Sequence, residues 1–166
     1  MAHCVSGIVT TDAINEAQRI RLGLPLLKTK VSSFLAVSDE IIETWAEQLN
    51  TTVKNLSEMT TDEGPNYIDN NIVVYFTQLL EIRKFALIET EYHGGDGIQS
   101  ATIYKNGNRI TQYTSAPDAE GNFISDGSAI NTVLKELAIT PLHGDLFQTV
   151  GLDKFRFTND YYTETS

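Results

Sequence analysis

Hydrophobic and polar positions change period several times along this chain. Cys4 to Thr10, CVSGIVT, is a short β-rich run. Ala13, Ile14, Ala17 and Ile20 then recur at helical spacing, with Asp12 placed to cap that helix and Gly23 and Pro25 to stop it. Leu26 to Val37 reads as extended, loosened at Ser32 and Ser33. Ser38 is the expected cap of a second helix. Its stripe is Ile41, Ile42, Trp45, Ala46 and Leu49, opposite Glu40, Glu43 and Glu47.

Residues 50–71 carry loop chemistry in Thr51-Thr52, Thr60-Thr61, Gly64-Pro65 and Asn70-Asn71. Ile68, Ile72, Tyr75, Phe76, Leu79 and Leu80 then keep an i, i+3, i+4 spacing. That predicts a helix over 72–82, capped by Asp69 or Asn70, although Ile72, Val73 and Val74 are β-formers. After the central strands, 115–127 reads as a polar loop. Ser125 or Asp126 opens a further helix with Ala129, Ile130, Val133, Leu134 and Leu137 facing the core, and Pro141 marks its end. Residues 146–157 predict a short helix and an edge strand, and 159–166 a frayed tail.

Between these flanks, 85–114 reads as three strands. Asn106-Gly107 is a two-residue type I′ signal that pairs Lys105 with Asn108, Ile103 with Ile110 and Ala101 with Gln112. The corner His93-Gly94-Gly95-Asp96 pairs Tyr92 with Gly97, Ile88 with Ala101 and Ala86 with Ile103. Both turns place Ala86, Ile88, Ala101, Ile103 and Ile110 on one face, where the small residues predict a closely packed helix. Phe85, Leu87, Glu89, Glu91, Thr102, Tyr104, Arg109 and Tyr113 fall on the other. That mixed face is expected to be partly covered or to form an interface, which points to a homodimer. The expected fold is one α+β domain over 1–166, an antiparallel sheet centred on the hairpins of 85–114 and packed by about four helices.

Composition adds constraints. The chain has 166 residues, enough for a sizeable core without staples. Its formal charge of −10 argues against binding nucleic acid or an anionic membrane, which need a cationic surface. Eight acids stand against Lys54 alone between Ser38 and Asn71, so this is the acidic part of the molecule. The single cysteine, Cys4, excludes an intrachain disulfide and fits a core position in a reducing compartment. With no signal peptide and no apolar run long enough to span a bilayer, a soluble protein of a bacterial cytosol is expected.

Candidate chemistry gathers at one strand and its corner. Glu89 and Glu91 share a face beside His93 and Asp96, and two carboxylates so placed can divide acid and base roles. His93 and Asp96 are echoed by His143 and Asp145; if the two loops met, they would offer four ligands to a divalent metal. Gly94-Gly95-Asp96 at a hairpin corner resembles the Gly-Gly-Asp start of the diguanylate cyclase motif. Gly97 and Ile98 stand where that family has glutamate and phenylalanine, and the resemblance ends there. No Gly-x-Ser-x-Gly, Rossmann or Walker pattern is present. The expectation is a non-enzymatic interaction or regulatory protein of the immunity type, with a protein partner and no required cofactor. The alternative is a small metal-dependent or acid–base enzyme at residues 89–97.

Overall fold

The computed structural model describes residues 3–48, 70–93, 96–115, 129–142 and 146–164. Six strands form one sheet in the order β2-β3-β1-β4-β5-β6, and every neighbouring pair of strands is antiparallel. They are β1 (His3–Thr10), β2 (Leu26–Lys28), β3 (Ser33–Ala36), β4 (Lys84–His93), β5 (Asp96–Lys105) and β6 (Asn108–Ser115). The architecture is mixed α+β. The centre of the sheet is the β1–β4 pair, however, and the 85–114 hairpins form one half, with β6 at the edge.

Six helices are described: α1 (Glu16–Arg21), α2 (Asp39–Gln48), α3 (Asn70–Leu79), α4 (Ala129–Glu136), α5 (Leu146–Thr149) and α6 (Thr158–Glu164). Strand alternation divides the core into two layers. Val5, Val9, Phe34, Ala36, Ala86, Ile88, Ala101 and Ile103 pack with Ala129, Ile130, Val133 and Leu134 of α4 on one face. The small residues Ala86 and Ala101 do receive a helix there. On the other face Ile8, Leu35, Phe85, Leu87 and Tyr104 pack with Ile42 and Trp45 of α2 and Phe76 of α3. Trp45 stacks on Phe76 at 4.1 Å, which ties the two helices together. This second face is therefore covered at its apolar end by α2 and α3.

Several local expectations change. Asn15, not Asp12, caps α1 by accepting from the Gln18 N–H, so Ala13 and Ile14 precede the helix. Asp12 instead accepts from the N–H groups of Arg83 and Lys84. Asn70 and Asn71 belong to α3 rather than to a loop. Helix α4 ends before Pro141, because Ala138 adopts φ +61° and its N–H closes on the Lys135 carbonyl.

The β4–β5 register agrees with the turn chemistry at Tyr92–Gly97, Ile88–Ala101 and Ala86–Ile103. Beyond Lys105–Asn108 and Tyr104–Arg109, β6 is bulged, and Ile103 meets Thr111 rather than Ile110. Ile110 is thereby 58% exposed, while Tyr113 packs on the α4 face instead of beside Phe85.

The tail is not frayed up to Glu164. Phe157 bridges Cys4, and α6 follows with Tyr161 buried. The Tyr161 hydroxyl donates to the Gly151 carbonyl, and its ring meets Phe34 and Phe155 edge-on. Tyr162 donates to the Ala36 carbonyl and accepts from the Ser38 N–H.

Candidate functional site

The pairing of β1, β4 and β5 builds a polar row across the sheet. Ser6 is the direct partner of Glu89, and Glu89 the direct partner of Ser100. Cross-strand partners on one face hold their Cβ atoms about 4.5–5.5 Å apart. Thr102 follows two residues along β5, on the same face as Leu87 and Glu89. Cys4 and Glu91 stand opposite each other at the outer end of this row.

Glu89 is only 1% exposed, which rules out a carboxylate directed into water at a strand end, whereas Glu91 is half-buried. Ser6, Ser100 and Thr102 are buried as well. Ser6 Oγ donates to the Val37 carbonyl at 2.6 Å. Ser100 Oγ and Thr102 Oγ1 meet no hydrogen-bond partner among the described residues. A buried hydroxyl in that state costs about 1–3 kcal/mol.

A recess of about 330 Å³ lies beside the row. Cys4, Ser6, Ser38, Glu40, Phe157, Thr158 and Asn159 line it. Cys4, half-buried, therefore borders a cavity rather than filling the core. Thr158 fixes one wall: its Oγ1 accepts from the Ser6 N–H at 3.0 Å and lies 3.3 Å from the Cys4 carbonyl. Another recess, about 410 Å³, opens between residues 11–16 and the β2–β3 hairpin, far along the sheet from Glu89. It includes Lys28 and Lys30, but its Asp12 is committed to the backbone of β4.

The candidate residues divide accordingly. Glu89 and Glu91 share one face of β4. His93 ends β4 and Asp96 begins β5, as direct register partners across the corner. His143 and Asp145 lie outside the described residues, and among the described residues no group of three or more His, Cys, Asp or Glu is arranged to hold a metal ion. Thr102 falls on the face of Glu89 and Glu91 as the turn registers predict. Ser100 is set by the same β4–β5 register, and Ser6 by the long-range β1–β4 pairing, which no local pattern marks.

A further polar cluster lies on the opposite face. His3 Nδ1 is 2.7 Å from Thr90 Oγ1, and its Nε2 is 3.0 Å from the Leu152 carbonyl. Burial holds the His3 imidazole below its ordinary pKa, and Arg156 adds to that, against the Leu152 bond and Asp153.

No described helix is long and apolar enough to cross a membrane. Compared with protein-family models, curated proteins and solved structures, the chain matches none of them.

Proposed function

We propose that this chain is a non-enzymatic interaction or regulatory protein of the immunity type, and that it works as a homodimer joined along β6. The observation that carries this is the edge itself. Strand β6 runs eight residues, no described strand pairs with its outer side, and its bulge presents Ile110 to solvent. An open edge of this length is a template for another strand. Its sequence, NRITQYTS, holds Arg109 and no acid in a chain of net charge −10. Two such edges therefore meet with little like-charge repulsion, and antiparallel pairing about a twofold axis is self-complementary.

Sedimentation of the full chain at micromolar concentration tests the reading. A dimer that becomes a monomer in Ile110→Lys, with unchanged melting, supports it; a wild-type monomer overturns it.

One observation favours a second reading, the small acid–base enzyme. Glu89 and Glu91 share a face but not an environment, the condition under which two carboxylates take different roles. In its metal-dependent form His93 and Asp96 would contribute ligands, with His143 and Asp145. Metal content of untagged protein, compared with His93→Ala, tests that form: a stoichiometric metal lost in the variant supports it, and metal-free wild type removes it.

A further inference from the structure

Ser100 and Thr102 set the strongest constraint on what the polar row does. Their hydroxyl oxygens are 1% and 0% exposed by residue, and neither has a partner among the described residues. Buried polar groups are otherwise almost always paired, so two adjacent exceptions beside a buried carboxylate point to a ligand.

We propose that Glu89, Ser100 and Thr102 form a receptor for the head of a primary alkylammonium ligand. An ammonium head carries three N–H donors and no acceptor. The row presents a carboxylate and two hydroxyl oxygens on one face of adjacent strands. A carboxylate has about four acceptor positions, so a single N–H uses a fraction of what Glu89 offers. An anionic ligand would bring acceptors against the acceptor oxygens of Glu89, and the net charge of −10 draws cations toward the chain. A divalent metal fits less well, since calcium takes about six to eight oxygens and magnesium a full octahedron. Ser6 adjoins both parts: it is the partner of Glu89 and also lines the recess with Cys4. The alkyl tail of the ligand lies toward that recess. This inference depends on neither the dimer nor the acid–base reading.

Titration of the full chain with n-butylammonium chloride at fixed ionic strength, followed by amide NMR and calorimetry, tests it. Tetramethylammonium, butanol and butyrate serve as probes lacking ammonium N–H donors. Saturable binding of butylammonium alone is expected. Thr102→Val, Ser100→Ala and Glu89→Gln should each weaken it about tenfold or more, as for lost hydrogen bonds to a charged group. Thr102→Val also reports on folding, because it keeps the shape and removes an unpartnered hydroxyl; its unliganded form should melt no lower than wild type. The proposal is overturned by no saturable response, by an equal response to tetramethylammonium, by undiminished binding in Thr102→Val, or by a lower melting temperature of that variant.

Discussion

Gly7, on a central strand of the sheet, lies close against the Phe34 ring. It pairs with Ala36, and a Cβ added to it would overlap both that ring and the Leu35 carbonyl oxygen. The glycine is thus required by close packing, because only a missing side chain lets β1 and β3 approach under the ring. Gly7→Ala should cost about 1–3 kcal/mol, the usual range for overpacking a core. Urea unfolding measures it, and an unchanged midpoint would show that Phe34 has room to move. The Leu35 oxygen is backbone, so trimming Phe34 alone should not restore full stability.

Tyr161 makes a second test of the same layer. It anchors α6 through its ring contacts with Phe34 and Phe155 and its hydrogen bond to Gly151. Tyr161→Phe should cost about 1 kcal/mol, the worth of one hydrogen bond. Tyr161→Ala should cost about 3–5 kcal/mol, as for other buried aromatic rings. Both are read from denaturant midpoints at constant slope. If Tyr161→Ala leaves the midpoint unchanged, α6 is not part of the cooperative unit.

Two helix ends carry non-glycine residues at positive φ, Glu81 after α3 and Ala138 after α4. The left-handed conformation costs about 1–2 kcal/mol for such residues, and glycine's greater freedom in the unfolded chain takes back about 0.5–1 kcal/mol. Ala138→Gly should therefore raise stability by roughly 0.5–1 kcal/mol. Glu81→Gly should gain less, since the Glu81 carboxylate also accepts from Asn15 Nδ2 at 3.1 Å. Thermal melts of the two variants side by side give the order. A larger gain at position 81 would mean that the Asn15 contact contributes nothing.

How much of this was legible follows from where each constraint resides. Register across the β4–β5 corner was legible, because turn chemistry and face alternation are both local and agree. The Asn106-Gly107 turn is legible in its own two residues, but the bulge at Ile110 is not, since nothing in NRITQYT marks an extra residue. Helix α6 escapes local patterning because Tyr161 is the one deeply buried side chain among the described ones of TNDYYTE, and its partners Phe34 and Gly151 lie far away or in a turn. At the site, the shared face of Glu89 and Glu91 could be read from alternation. The burial of Glu89 could not, because it depends on β1 inserting between β3 and β4, which no local pattern encodes.

His3 gives the chain a pH dependence whose sign is fixed by its contacts. The Leu152 carbonyl can only accept, so Nε2 carries a proton; in the neutral ring Nδ1 then accepts from the Thr90 hydroxyl. The folded state holds the His3 pKa below the ordinary 6.5, chiefly by burial. Below 6.5 the unfolded chain takes up a proton that the folded chain resists. His3 therefore contributes stability that is present above that pH and is lost as pH falls through the folded pKa. Urea midpoints compared at about pH 7 and about pH 5 should fall further for wild type than for His3→Gln, which keeps hydrogen-bonding atoms without titrating. The comparison with the variant matters because carboxylates titrate in the lower part of the same range. Equal losses in the two proteins would mean that His3 is protonated as readily in the fold as outside it.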